Sequence, residues 1–260
     1  PRSTYYYILK RIDRPDRHLS LRNRIRDICT AHAGRYGYRR VTMALRRQGL
    51  VANHKLVMRL MKEDGLTSRV RMKKYRSYRG EVGKVTPDLL QRDFNATKPQ
   101  QKWVTDITEF SLYGQKLYLS PVLDLFNGEV VSYTLSDRPS LQPVMHMLRT
   151  ALSSLPDRPY LIFHSDQGWQ YQHKEFQRLL KRKGVQQSMS RKGNCLDNSA
   201  MESFFAVLKS ELLYLKKFDS MEQFRVELIE YLYYYNNDRM KLKLKGMSPV
   251  EYRTHSFSAA

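Results

Sequence analysis

Cysteine is nearly absent. Cys29 and Cys195 alone occur in 260 residues, far apart and in no zinc-ligand spacing, which excludes a disulfide framework and a zinc ribbon and leaves reduced thiols as the expectation. No run of 18 apolar residues exists, and the first thirty positions are too charged for a secretory core. The chain therefore reads as soluble, and a cytoplasmic protein is expected. Acidic residues are scarce in one stretch only. Residues 1–100 carry 8 Asp and Glu against 25 Lys and Arg, a net of +17, whereas residues 101–260 carry 17 against 21, a net of +4. With 41% hydrophobic and 12% aromatic residues the chain can build a core. A basic half of this size repels itself unless it meets a polyanion, and nucleic acid is the expected partner. No basic helix with a strongly apolar face stands out, which argues against a membrane surface. The chain opens on Pro1, not an initiator Met, as expected of the later part of a longer product or of a trimmed one.

The order of segments predicts an α/β chain. Residues 1–19 form an N-terminal segment with the triplet Tyr5, Tyr6 and Tyr7. Residues 20–66 read as a helix-turn-helix-like DNA-binding domain. Leu21, Ile25, Ile28 and Cys29 make one apolar face, and Gly34, Gly49 and Gly65 are plausible stops. Asn53 is a good N-cap for a third helix that places Val57, Leu60 and Met61 inward and His54, Lys55, Arg59 and Lys62 outward. Residues 67–98 read as a basic linker. Arg69, Arg71, Lys73, Lys74, Arg76 and Arg79 interleave with Tyr75 and Tyr78, a composition that orders on a phosphate backbone.

From Gln101 the pattern changes. Lys102–Leu112, Lys116–Leu125 and Glu129–Leu135 are expected as consecutive strands, turned at Tyr113-Gly114 and Asn127-Gly128. A helix over about 141–154, a strand Tyr160–His164, a helix over 173–183 and a strand Val185–Met189 follow, then helices over 198–214 and 219–236. Three antiparallel strands followed by strands separated by helices is the order of ribonuclease H-like domains. The expectation is a mixed five-stranded sheet flanked by helices over 99–215, with a C-terminal helix and tail, 216–260, packed on it.

Three carboxylates carry the chemistry. Asp106 shares a strand face with Val104, Thr108 and Phe110, where a charge is costly without a cation. Asp166 stands just past a strand's C-terminal end, where open α/β sheets place ligands. Glu202 lies on a helix after 35 intervening residues. Hard oxygen ligands from separate elements suit Mg2+ or Mn2+, and two such ions support in-line displacement at phosphorus without a covalent nucleophile. Bland alternatives exist. Asp106 could be a strand-edge Asp, Asp166 could initiate a turn, and Ser199-x-x-Glu202 could be a capping box. Asp124 is a rival ligand.

Thr105-Asp106-Ile107-Thr108, His164-Ser165-Asp166-Gln167-Gly168, and Asn194 through Phe205 followed by Leu208-Lys209-Ser210-Glu211 resemble the signature of insertion-sequence transposases with a retroviral-integrase catalytic core. More narrowly they resemble the class made by frameshift fusion of two open reading frames. Tyr235-Asn236-Asn237-Asp238-Arg239, Ser248-Pro249-Val250-Glu251-Tyr252, Gly37-Tyr38-Arg39-Arg40 and Pro1–Tyr7 fit the same family. The resemblance implies a D-D-35-E triad at Asp106, Asp166 and Glu202, a ribonuclease H-like fold, and divalent metal. It implies a bacterial, nucleoid-associated enzyme acting on terminal inverted repeats and target DNA, as a homodimer or higher oligomer on paired ends. One end is nicked, and its 3′-hydroxyl attacks the same strand near the other end, giving a bridged intermediate and later a circle. Family members also carry an upstream helix-turn-helix and a zipper-like segment. The alternatives in function are a ribonuclease H-like nuclease without strand transfer and a non-catalytic DNA-binding regulator.

Further candidates surround the triad. Lys209 stands seven residues after Glu202, on one helix face with it, where its ammonium can meet a phosphate. Arg191, Lys192 and Asn194, flanking Gly193, make a mobile basic loop that can grip the entering strand. Trp169 and Tyr171 could stack on a base or pack in the core. His164 is expected to be a satisfied structural histidine, and Arg239 to pair with an acidic neighbour.

Overall fold

The structure is a computed structural model and describes residues 2–6, 16–68, 85–155 and 160–258. The chain divides into two compact units, Pro1–Val70 and Arg71–Ala260. In the first, α1 (Leu19–Ala31), α2 (Tyr38–Arg47) and α3 (His54–Glu63) close around Ile25, Ile28, Val41, Leu45, Val57, Leu60 and Met61. The three end just before the expected glycine stops, and the Asn53 side chain accepts from the Lys55 amide at 2.9 Å as a helix cap should. Cys29 is buried and free, and burial pushes its thiol up. Arg22 ties the bundle, pairing with Asp16, Glu63 and Asp64.

In the second unit β1 (Lys102–Thr105), β2 (Thr108–Leu112), β3 (Gln115–Asp124), β4 (Val130–Ser136), β5 (Ile162–Ser165) and β6 (Gln186–Met189) form one mixed sheet. The expectation of a single first strand, and hence of five strands, is corrected here: the run breaks at Asp106-Ile107, leaving six. Register explains the break. Trp103 faces Asp124 and Thr108 faces Leu119, so β1 and β2 keep one unslipped alignment along β3. The Asp106 carboxylate accepts from the Ile107 amide at 2.7 Å, a local bond that competes with the ladder. β4 lies on the other side of β3, and β1, β5 and β6 run parallel. That is the ribonuclease H-like order. Between β2 and β3 the turn residues Tyr113 and Gly114 have φ of 52° and 71°, the two positive angles a two-residue hairpin needs.

Helices cover both faces. On one lie α4 (Leu141–Ser153), α5 (Trp169–Gln172) and α6 (Lys174–Arg182), packing Val144, Leu148, Tyr171 and Phe176 against Trp103, Val122 and Phe163. On the other lie α7 (Ser199–Leu208) and α8 (Met221–Asn237), packing Met201, Phe204, Leu208, Phe224 and Leu228 against Val104, Phe110 and Leu119. The helix expected over 198–214 proves composite. A 3-10 turn, Cys195–Asn198, leads in, and a π turn, Lys209–Leu213, leads out. The short α5 and a last helix α9 (Pro249–Ser258) were not anticipated. Tyr160, expected in a buried strand, is 79% exposed just ahead of β5. Among the described residues no helix is long and apolar enough to cross a membrane.

Candidate active site

Asp106 occupies the interruption between β1 and β2, Asp166 directly follows β5, and Glu202 lies in the first turn of α7. Because β1 and β5 are parallel neighbours, with Val104 beside His164, both aspartates leave the sheet at the same end. The Asn198 side-chain amide donates to the Thr105 carbonyl at 3.1 Å and pins the start of α7 to the end of β1. Glu202 is thereby turned toward Asp106.

Electrostatics register the convergence. Burial raises the Asp106 carboxyl well above the usual range, and the Asp166 charge raises it further. The Ile107 amide opposes, Glu202 adds to the rise, and Lys209 opposes. Burial likewise raises Asp166, against a bond from the Gly168 amide at 2.9 Å. Like charges gathered in a low-dielectric recess favour protonation or a cation. Among the described residues no three His, Cys, Asp or Glu side chains stand close enough together to hold a metal ion. The donor set fits hard divalent cations, being carboxylates from three separate elements, with the proton affinity of Asp106 and Asp166 raised.

The bland alternatives for the aspartates describe bonds that are present, since Asp106 accepts from the neighbouring Ile107 amide and Asp166 from the Gly168 amide as a turn-initiating Asp does. The residue ahead of α7 is Asn198, not Ser199, and its side chain makes no cap bond to the helix. Asp124 sits opposite Trp103, at the far end of β1 from Asp106, and is consumed by Arg253 at 2.8 Å and the amides of Gln100 and Phe126. It anchors α9 and the β3–β4 turn. His164 is fully buried with its ring nitrogens on Ser188 Oγ and Ser190 Oγ at 2.8 and 3.1 Å, and burial lowers its pKa. Its role is structural.

The candidate DNA contacts differ in setting. Lys55 and Arg59 project from α3 into solvent, Arg59 only 3.7 Å from Glu63. Arg69, Arg71, Lys73, Lys74, Arg76 and Arg79 lie outside the described residues. Lys192 is exposed. Arg191 folds back on the buried Asp197, donating through Nε and Nη2 at 2.9 Å each. Arg92 donates to the same carboxylate at 2.8 Å and to Asn194 Oδ1 at 3.0 Å. The loop is therefore clamped rather than loose. The Arg191 guanidinium beside Asp197 holds that carboxyl far below the usual range despite burial, with help from Arg92. Lys209 begins the π turn, 5.6 Å over the Phe110 ring and near Asp106; burial lowers its pKa and Asp106 opposes. Trp169 is 48% exposed, whereas Tyr171 is buried.

Sequence reasoning missed Arg92, which lies 105 residues from its partner Asp197 inside the stretch assigned to a linker. It also missed the use of Asn198 and the depth of Tyr171. A hollow of about 400 Å3 lined by Thr86, Gln177, Leu180, Lys181, Val185 and Gln187 opens at the start of β6, the end of the sheet opposite the carboxylates.

Comparison with known proteins bears on this site. A family model described as integrase core domain matches residues 96–195, a second of the same description matches 202–257, and an HTH-like domain matches 16–74. The InsK protein of insertion sequence element IS150 from Escherichia coli (strain K12) is 52% identical, over 99% of this chain and 91% of its own. The transposase for insertion sequence element IS904 of Lactococcus lactis subsp. lactis (strain IL1403) is 34% identical, over 91% and 94%. A chain from the simian T-cell lymphotropic virus intasome in complex with PP2A regulatory subunit B56 gamma aligns at a TM-score of 0.50 and 17% identity. The alignment spans 88% of this chain and 74% of that one, and the likeness is one of fold alone.

Proposed function

Because the chain belongs to the insertion-sequence DNA transposases, DDE-type polynucleotidyl transferases with an integrase core, we propose that Asp106, Asp166 and Glu202 are its catalytic, metal-binding residues. An integrase-type core depends on divalent metal, and here the ions are two Mg2+ or Mn2+. When bound they activate the attacking oxygen and stabilise the leaving one. The chain's own groups do the rest. The three carboxylates would hold those ions beside the scissile phosphodiester; water attacks the phosphorus, the P–O3′ bond breaks, and a 3′-hydroxyl is released at the element's end. That hydroxyl then attacks a second phosphodiester and displaces its 3′ oxygen, through a bridged or circular intermediate. Lys209 neutralises a phosphate beside the site.

The observation that carries this reading is the electrostatic setting of Asp106, which feels Asp166, Glu202 and Lys209 at once. Residues 20–66 serve as the helix-turn-helix DNA-binding domain, 67–98 as a basic linker, 99–215 as the core and 216–260 as a covering tail. Lys55, Arg59, Arg69, Arg71, Lys73, Lys74, Arg76, Arg79, Arg191, Lys192 and Asn194 meet terminal inverted repeats and target in the bacterial cytoplasm, on the nucleoid. Two or more copies assemble on paired ends.

Labelled candidate ends with Mg2+ should give joined products, and Glu202→Gln should give neither nicks nor joints. Nicks without joints from the unaltered protein would leave only a nuclease. Binding to the ends should weaken with salt at a log–log slope of about −3 or steeper, as expected for several phosphate contacts. A flat response in a filter-retention titration contradicts the electrostatic reading.

A further inference from the structure

Asp197 is fully buried and carries more counter-charge than it needs. Arg191 alone satisfies it, its amide and Nε donating to Oδ2 at 3.1 and 2.9 Å and its Nη2 to Oδ1 at 2.9 Å. Arg92 nevertheless brings Nε to the same Oδ1 at 2.8 Å. Two guanidiniums therefore lie side by side against one oxygen, where their charges repel. Reaching that oxygen also strains the backbone. Gln91 and Arg92 stand at φ of 47° and 63°, left-handed angles that residues other than glycine disfavour. The segment has other anchors. Leu90 is 2% exposed in the core, the Leu89 amide donates to Ser188 Oγ at 2.9 Å, and Lys102 holds Asp93 at 2.7 Å. Charge is sorted by depth around the cluster. The Asp197 side chain is 0% exposed, and Asp88, the other carboxylate whose charge Arg191 feels, is 8% exposed. Arg92 and Arg191 are 44% and 59% exposed, and Lys192 is exposed as well. Among the described residues Nη1 of neither arginine meets an acceptor. The cluster stands at the carboxylate end of the sheet. Asp197 immediately precedes Asn198, which holds the Thr105 carbonyl at 3.1 Å, and the Ser190 amide donates to the Ser165 carbonyl at 2.9 Å.

We infer that Arg92 and Arg191, aligned by the buried Asp197, form a two-pronged clasp for one backbone phosphate of DNA lying beside the active site. Arg92 is thereby a DNA-contacting residue that no charge run in the sequence singles out. The inference rests on the DNA-transposase reading given above. A phosphate supplies what the cluster lacks, an anion between two outward guanidiniums, and the planar fork of arginine matches its oxygens. Asp197 holds both prongs before DNA arrives, so less side-chain freedom is lost on binding. Asn194 takes part indirectly, its Oδ1 accepting from Arg92 Nη2 at 3.0 Å.

The test titrates the full chain onto a labelled DNA duplex carrying a candidate end, without divalent metal, over a series of salt concentrations. The proteins are the unaltered chain, Arg92→Gln, Arg92→Lys and Lys181→Gln, the last an exposed cation at the opposite end of the sheet. Arg92→Gln should lower the log–log salt slope by about 0.9, one phosphate contact, and weaken binding roughly 8-fold at about 0.1 M salt. Arg92→Lys keeps the charge and should keep the slope, although lysine cannot span Asp197 and Asn194 as arginine does. Lys181→Gln should leave slope and affinity unchanged. Thermal unfolding should place Arg92→Gln within about 4 °C of the parent, because Asp197 retains its three bonds from Arg191. An unchanged slope in Arg92→Gln, beside a steep one in the unaltered protein, overturns this inference alone. Equal losses of slope in Arg92→Gln and Arg92→Lys, or in Lys181→Gln, refute it too, since the effect is then not a charge at this position. A melting temperature far below the parent's for Arg92→Gln marks the pairing as structural and sinks the clasp. A flat salt response of the unaltered protein removes the DNA-contact reading itself, and this inference with it.

Discussion

Asp166→Asn is expected to reduce cleavage and joining by about 10³-fold or more, while the metal-free protein melts higher than its parent. The two effects share one cause. Asparagine keeps the shape and can still accept from the Gly168 amide, but it removes a negative charge that cations require. Loss of several kcal/mol of charge stabilisation at a phosphoryl transition state is worth three or more powers of ten. Without cations that same charge is a liability, since burial raises the folded Asp166 carboxyl above its usual value and the Asp166 charge raises that of Asp106. The sign follows from proton counting. In the window between the ordinary carboxylate pKa and the raised one, the folded state holds more protons than the unfolded state, so stability falls as pH rises through that window. Protonation from neutral pH downward should therefore stabilise the metal-free parent at this site, and Asp166→Asn should flatten that response. Relief of about 1 kcal/mol moves the melting temperature by roughly 2–4 °C in a domain of this size. Calorimetry of both proteins over pH, with and without Mg2+, checks it. A variant that melts lower than the parent without metal, or keeps its activity, contradicts the account. Retention of DNA should hardly change, because phosphate contacts elsewhere supply most affinity.

How legible was this site in the sequence? The layers were legible because periodicity reports burial. Ile25, Ile28 and Cys29 recur at helical spacing, and β2 alternates buried and exposed, while β1, β5 and most of β3 are buried along their length, as strands covered on both faces are. Asp106 and Asp166 stood out because a carboxylate on an apolar strand face or just past a strand end is locally anomalous, whereas Glu202 was singled out by the resemblance of its motif to the transposase signature. The break at Asp106-Ile107 was not legible. Nothing in the run Lys102–Leu112 is a strand breaker, and the interruption comes from Asp106 bonding its neighbour's amide. Clamps between distant residues were equally hidden. Arg92 looked like one more charge of a basic linker, yet it shares Asp197 with Arg191. Arg239 shows the middle case, since an acidic partner was expected for it, but Glu211 could not be chosen from composition alone.

The second large effect is expected at that pair. Arg239 is 4% exposed and donates to Glu211 through Nε at 2.7 Å and Nη2 at 2.6 Å, and the Tyr231 hydroxyl adds a third bond to the same carboxylate at 3.0 Å. Burial alone would lower the Arg239 pKa, but the bonds to Glu211 outweigh it and hold the guanidinium charged. Glu211 belongs to the π turn that begins at Lys209, so the pair joins the end of α8 to the element that carries Lys209. π turns of this kind persist where tertiary contacts hold them. Glu211→Gln leaves a buried cation without its counter-charge, which costs about 3–5 kcal/mol, or some 10 °C in melting temperature. Replacing both partners, Glu211→Leu with Arg239→Met, should recover most of that loss, because two apolar groups of similar volume need no solvation. Activity should not recover with it. The double variant frees the π turn to relax into ordinary helix and swing Lys209 away from Asp106, so joining should stay below the parent by about tenfold. Melting curves and strand-transfer rates for the single and double variants separate the two consequences. If stability and joining return together, the clamp serves the fold alone; if the double variant stays as unstable as the single one, the pair is not an isolated charge couple.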